Sequence, residues 1–308
     1  LVSMADSFYF YDLETSGVNP RQDRIMQFAG QRTDLDLNPI GEPHNLLIAL
    51  TEDVLPEPEA ILITGITPQH TQAEGMTEVE FLKIFTEEIA TPGTIFVGYN
   101  SVRFDDEFMR ALHYRNCYDP YKWQWKDDRS RWDLLDVVRM TRALRPEGIN
   151  WPVDSEGRAT NRLELLTSMN GLDHEHAHDA LNDVLATISL AQLIRTKQPK
   201  LFDYLLSVRS KDAVKALVEQ GKPFVYSSGK YSGDFQKTAV AVRIADHPKR
   251  GGALVYDLRY DPDQFKDMSA NQLVDAWKWQ KPEDRDPSNP RLPIKTLQYN
   301  RCPAVAPL

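Results

Sequence analysis

Cysteine is almost missing from this chain: 308 residues contain only Cys117 and Cys302. So sparse a pair builds no disulfide framework and supplies no thiolate zinc site, so a bound metal must be held by oxygen or imidazole. Long apolar runs are missing too. None approaches the roughly 18 to 20 residues that cross a bilayer, and residues 1–7 lack the basic region and apolar stretch of a secretory leader. No membrane association is expected, and the expected location is the cytoplasm. Leu1, Val2 and Ser3 precede Met4, which reads as the natural start. Internal repeats and low-complexity segments are also lacking.

Positive charge is in short supply. Lys and Arg number 36 against 45 Asp and Glu, a net charge of −9. Phosphate-binding surfaces normally carry the opposite sign. Binding depends, however, on the local field in a cleft, and enzymes that hold cations against phosphates concentrate acids for that purpose. The remaining composition, 41% hydrophobic and 26% charged, is that of a globular protein, and the length suits two domains with a core each.

Residues 7–11 read Ser-Phe-Tyr-Phe-Tyr, a β-prone aromatic run leading into Asp-Leu-Glu-Thr-Ser-Gly. A buried strand is predicted there. Ile25–Thr33 and residues 46–50 predict two more, with Asn38, Pro39 and Gly41 as the turn between them. Pro56, Pro58, Gly65 and Pro68 punctuate a loop region. A helical period then runs through Val79, Phe81, Leu82, Ile84 and Phe85, followed by a strand at 94–99 and a helix starting near Asp105. Further helices are predicted over 132–144, over Leu163–Met169 with Gly171 just past its end, and over 179–194 with Asp179 as N-cap. The segment 196–202 is the expected boundary between domains 1–197 and 198–308. Beyond it, Phe224–Ser227, 238–245, 253–258 and 294–299 read as strands, 270–279 as a helix and 281–293 as an exposed loop. The fold class expected is α/β, with a mixed sheet flanked by helices and a β-rich second domain.

Candidate chemistry resides in carboxylates. Asp12 and Glu14, two apart on a strand, share a face, so one cation could touch both, although an isolated Asp-x-Glu is more often a solvated strand end. Asp105 falls where a strand has ended and a helix begins, and helix capping explains it as well as ligation does. His178 and Asp183 come from His-Asp-Ala-Leu-Asn-Asp. Asp183 lies about one turn into an apolar helix, where an unpaired buried carboxylate is costly, so it is either a ligand or exposed. His174 and His176 read as solvated. Carboxylate oxygens suit Mg²⁺, and two such ions roughly 3.5 to 4 Å apart can clamp the attacking and leaving oxygens of a phosphoryl displacement. A histidine, with an ordinary pKa near 6.5, suits the base that takes a proton from water. Tyr121, Trp123 and Trp125 alternate with Lys122 and Lys126, a pattern that fits stacking on a single strand of nucleic acid or one face of a buried strand.

In order and context, Asp12, Glu14, Asp105 and Asp183, with His178 ahead of the last, resemble the exonuclease superfamily named for four acidic residues, in its histidine branch. Longer segments are similar to bacterial exonuclease I over essentially the whole chain: Tyr-Asp-Leu-Glu-Thr at 11–15, Leu-Ile-Thr-Gly-Ile-Thr-Pro at 62–68, 98–107, 118–121, Ser-Arg-Trp-Asp-Leu-Leu-Asp at 130–136, and 144–152. The resemblance implies a ribonuclease H-like exonuclease domain followed by an SH3-like domain. It also implies processive 3′→5′ removal of 5′-mononucleotides from single-stranded DNA in repair and recombination, by a monomer that docks the acidic tail of single-stranded DNA-binding protein. Two Mg²⁺ ions, with Mn²⁺ as a substitute, would sit on Asp12, Glu14, Asp105 and Asp183, with His178 as base and Glu14 also at the terminal sugar. Arg162 matches the residue that holds substrate near the cut, and Arg110, Tyr121, Trp125, Arg139 and Lys211 fall at DNA-contact positions. Family members carry a further C-terminal helical domain, whereas this chain stops soon after 299–303, so that domain is expected to be absent and the SH3-like domain incomplete.

Overall fold

The opening aromatic run forms β1, Ser7–Thr15, in a computed structural model that describes residues 6–172, 179–249, 251–278, 281 and 290–308. With β2 (Ile25–Thr33), β3 (Pro39–Leu47), β4 (Thr94–Gly98) and β5 (Ser130–Asp133) it makes a sheet in the order β3-β2-β1-β4-β5. β2 is antiparallel to both β1 and β3; β4 and β5 run parallel to β1. Side chains alternate across a strand, so β1 feeds two cores. Phe8 and Phe10 join Trp132 and Val184 on one face, whereas Tyr9, Tyr11 and Leu13 join Phe28, Phe81, Phe85 and Trp123 on the other.

Several elements depart from the sequence expectation. The third strand starts at Pro39 and ends at Leu47 instead of spanning 46–50. Pro39 is tolerated because β3 is an edge strand, where a missing N–H removes no obligatory ladder bond. The proline-rich loop contains two short helices, α1 (Pro58–Thr64) and α2 (Pro68–Glu74), each with Pro in its first turn, a position where the N–H has no helical partner. α3 (Glu78–Ile84) carries a Thr77–Glu80 capping box and runs into a π-helical turn, Phe85–Ile89. α4 spans Asp105–Arg115. The predicted helix at 132–144 hides the end of a strand: β5 extends to Asp133, whose side chain then accepts from the Leu135 N–H and caps α5, Leu134–Leu144.

α6 (Leu163–Met169) and α7 (Ala180–Lys197) follow, the latter capped by Asp179. α7 is apolar on more than one side because it lies between β1 and β2 of the sheet and helices α6 and α8 (Pro199–Ser207). α8 and α9 (Lys211–Val218) occupy a stretch that carried no helix assignment from sequence. The second sheet, β10-β6-β7-β8-β9, is antiparallel throughout: β6 Phe224–Ser227, β7 Thr238–Asp246, β8 Gly252–Asp257, β9 Ile294–Gln298 and β10 Ala304–Pro307. β10 is too short to show a period, and α10 (Ala270–Trp277) lies between β8 and β9. Val225, Ala304 and Ala306 of this sheet share one apolar cluster with Trp132, Phe202 and Leu205. Each large member contributes about 1.5–3 kcal/mol by leaving water, so an apolar seam holds the second domain to the first. Among the described residues no helix is long and apolar enough to cross a membrane.

Candidate active site

The sheet opens where its acids are placed. β4 pairs with β1 only from Ser7↔Thr94 to Phe10↔Val97, whereas β2 continues alongside to Asp12↔Ala29 and Glu14↔Gln27. Beyond Phe10 the middle strand is therefore braced on one side and uncovered on the other. Asp12 and Glu14 keep the facing of Phe8 and Phe10, the face on which α7 lies, and the first turn of α7 carries Asp183. Ligand oxygens of Asp12, Glu14 and Asp183 all lie within 4.8 Å of one another.

Asp105 is not one of this trio, though its charge raises the pKa of Asp12 and the charge of Glu14 raises its own in turn. It is the first residue of α4, one position inside the N-cap Phe104, so capping does not explain it; the residue is 4% exposed. The turn that delivers it runs through Asn100, with a left-handed backbone at φ 66°, and is pinned by Asp133, which accepts from the Asn100 N–H at 2.9 Å and the Val102 N–H at 3.2 Å.

Burial and mutual repulsion make this set hard to ionise. Burial pushes the Glu14 carboxyl up to about 9, and the charges of Asp12 and Asp183 push the same way. Asp12 is held well above the carboxylate range by burial, then by Asp105 and Asp183. Asp105 is raised by burial and by Asp106, with Glu14 adding to it. Oxygen donors that disfavour one another's charge fit hard divalent cations, which neutralise them together; among the described residues no cysteine joins the cluster to favour a softer metal.

A cleft of about 470 Å³ extends from Asp12 and Asp183 to Arg139, Arg162 and Lys237. Arg139 is paired to the buried Asp136 at 2.7 Å and Arg162 to Glu164. Arg110, Tyr121, Trp125 and Lys211, also singled out from sequence, do not line that cleft. The Arg110 guanidinium sits 5.3 Å from the Tyr121 ring and donates to Glu107 at 2.7 Å. Tyr121 and Trp125 are exposed, as is Lys211 at the start of α9, whereas Trp123 is core. Neither sequence reading of this aromatic run survives whole: two 3-10 turns, at Lys122–Gln124 and Lys126–Asp128, replace a strand. His178, with His174 and His176, lies outside the described residues.

Sequence reasoning passed over three groups here. Asp179 is an N-cap, as expected, yet its charge also raises Asp12 and Glu14, and it accepts from Gln27 Nε2 at 3.2 Å. Its position one turn before Asp183 was the available signal. Asp133 pins the Asp105 turn, a role visible only once β5 lies beside β4. Lys237 comes from the second domain, and no local pattern ties it to the site.

Residues 9–191 match the family model described as Exonuclease, and residues 209–308 that described as Exonuclease I SH3-like domain. Exodeoxyribonuclease I of Escherichia coli strain K12 is 44% identical over 303 residues, 97% of this chain and 63% of that enzyme. Among solved structures, a moderately thermophilic exonuclease I from Methylocaldum szegediense matches with a TM-score of 0.94 at 48% identity, covering 99% of this chain and 65% of that one. The zinc-ion-bound E. coli exonuclease I complex with single-stranded DNA matches with a TM-score of 0.93 at 44% identity, covering 99% and 65%. This chain thus spans somewhat less than two thirds of the length of these relatives. Two adjoining family models in succession, over a sheet that gathers carboxylates on its middle strand, make the chain a member of the exonuclease I family.

Proposed function

We propose that the protein is a metal-dependent 3′→5′ exonuclease that shortens single-stranded DNA, releasing 5′-mononucleotides. The observation that carries this reading is the approach of the Asp12, Glu14 and Asp183 oxygens to within 4.8 Å. The solved relative bound to single-stranded DNA and zinc supports the substrate and a divalent ion. Asp12, Glu14, Asp105 and Asp183 would hold two Mg²⁺ ions, for which Mn²⁺ substitutes; when bound, the ions supply the charge that favours in-line displacement at phosphorus. His178 takes the proton of the attacking water and Glu14 orients the terminal sugar. Arg162 holds the strand near the cut, while Arg110, Tyr121, Trp125, Arg139 and Lys211 bind the strand further along.

Residues 1–197 form the nuclease unit and 198–308 the SH3-like unit in this reading. The protein acts as a cytoplasmic monomer in DNA repair and recombination and docks the tail of single-stranded DNA-binding protein.

Digestion of end-labelled single-stranded DNA, duplex DNA and RNA of one sequence, with Mg²⁺ and with chelator, tests the assignment. Loss of label from the 3′ end of single-stranded DNA, in Mg²⁺ only, is expected. Asp12→Ala and Asp183→Ala should each lower the rate about a thousandfold or more while binding persists. Preference for RNA, cleavage that survives chelation, or full activity in either variant would refute it.

A further inference from the structure

The connection between β6 and β7 of the second domain reaches into the nuclease cleft. It closes on itself through the Ser228 N–H, which donates to the Lys237 carbonyl at 2.9 Å, and the Lys237 N–H, which donates to the Ser232 carbonyl at 3.0 Å. Its last two residues, Gln236 and Lys237, both adopt left-handed backbones, φ 52° and 57°. Gly and Asn take that conformation readily and Lys does not, so Lys at 237 is chosen against local preference. Gly229, at the other end of the connection, comes so close to Arg139 that an added Cβ would lie 2.8 Å from its guanidinium. The connection therefore forms a wall of the cleft that holds Asp12 and Asp183.

Charge singles out Lys237 on that wall. Arg162 pairs with Glu164 and Arg139 with Asp136, which Arg103 shares at 3.2 Å, whereas Lys237 makes no ion pair among the described residues. Its charge also reaches Lys295 of β9, which burial, then Arg291 and Lys230, bring down to about 8, with Asp257 opposing and Lys237 adding a smaller push. An unbalanced ammonium beside a site for a polyanion favours a phosphate. In a 3′→5′ exonuclease, every phosphate except the one being cut lies on its 5′ side.

We infer that Lys237 is a substrate-binding residue whose ammonium holds a backbone phosphate on the 5′ side of the cut, so that the second domain completes the nuclease site. The inference rests on the proposed activity. Lys237→Asn removes the charge and suits the left-handed backbone, so its melting temperature should equal or exceed that of the native protein. With chelator present, its affinity for 5′-fluorescein-dT12 should fall about five- to tenfold at moderate salt, and the slope of log affinity against log salt should drop by about 0.7. In Mg²⁺, KM for the oligonucleotide should rise with kcat held, and Lys237→Arg should restore it. Cleavage of thymidine 5′-(p-nitrophenyl phosphate), which has no phosphate on the 5′ side, should be unchanged. Lys249→Asn is the charge control: it lies past the opposite end of β7, roughly 30 Å away. Lys237→Gly replaces the Asn variant should that one melt early. Native affinity and KM in the Lys237 variants, or losses no larger than in Lys249→Asn, overturn the inference while native cleavage of single-stranded DNA still stands. Failure of the native protein to bind or shorten single-stranded DNA overturns the proposed activity and this inference together.

Discussion

Arg131 and Asp106 form an ion pair directly behind the candidate active site, with side chains 10% and 2% exposed. Asp106 follows Asp105 in α4 and also accepts from the Tyr11 hydroxyl, next to Asp12; the other arm of Arg131 donates to the Asn300 carbonyl at 2.6 Å. Through Asp106, one guanidinium thus ties β1, the Asp105 turn and the second domain. Arg131→Met would leave Asp106 buried and uncompensated and should cost about 3–5 kcal/mol in urea unfolding. Adding Asp106→Asn should recover part of that, as a double-mutant cycle would report.

The run from Tyr121 to Trp125 separates packing from binding within a few residues. Trp123 lies 5.1 Å from Phe96, ring centre to ring centre, and is 4% exposed, whereas Tyr121 and Trp125 are 55% and 62% exposed. Trp123→Ala should cost about 3–5 kcal/mol of stability. Tyr121→Ala and Trp125→Ala should change stability by about 0.5 kcal/mol at most. Each should weaken single-strand affinity by about 1–3 kcal/mol, read by fluorescence anisotropy. Native affinity in both would move the strand's path elsewhere.

His113 gives the fold an acid-sensitive point. It is buried against Trp123 and Phe85, its Nδ1 bonds the Met109 carbonyl at 2.7 Å, and burial lowers its pKa from 6.5 to about 4. The unfolded chain takes up the proton first, so this contribution to stability is whole above pH 6.5 and is lost as pH falls toward 4. About 3 kcal/mol should disappear across that window. His113→Phe should flatten this part of the profile in urea melts run at stepped pH.

Gly229 and Arg139 supply a test in which fold and grip come apart. A Cβ at 229 would meet the far end of a flexible side chain, which can swing aside. Gly229→Ala should therefore melt within a few degrees of the native protein and bind single-stranded DNA several-fold more weakly, because the displaced arginine no longer lines the cleft. Unchanged binding would show that Arg139 does not contact the strand.

What the sequence made legible follows from where each signal resides. Ile25–Thr33 and Leu163–Met169 carry their own period and punctuation, and they fold over those bounds. β5 and β10 are four residues each and owe their form to the strands beside them, so no local pattern announces them. Pro58 and Pro68 read as breakers because the same residue both ends helices and begins them. At the site, strand alternation put Asp12 and Glu14 on one face but fitted a solvated strand end as well, and the place of Asp183 in an apolar helix fitted either ligation or exposure, so only the resemblance joined them into one set. The three meet only because α7 lies on the face of β1 that they share, a fact of tertiary packing. Lys237 needed the second domain to be docked before it had any relation to the site.

The alternation of β1 constrains how this site can change over evolutionary time. Inserting a single residue between Phe10 and Tyr11 would turn the acids inward among aromatic rings and swing Tyr11 and Leu13 out toward the cleft, and deleting Tyr11 would turn the acids inward in the same way. Length variation is thus closed to this stretch, and descendants can explore new chemistry there only by exchanging one side chain for another in place.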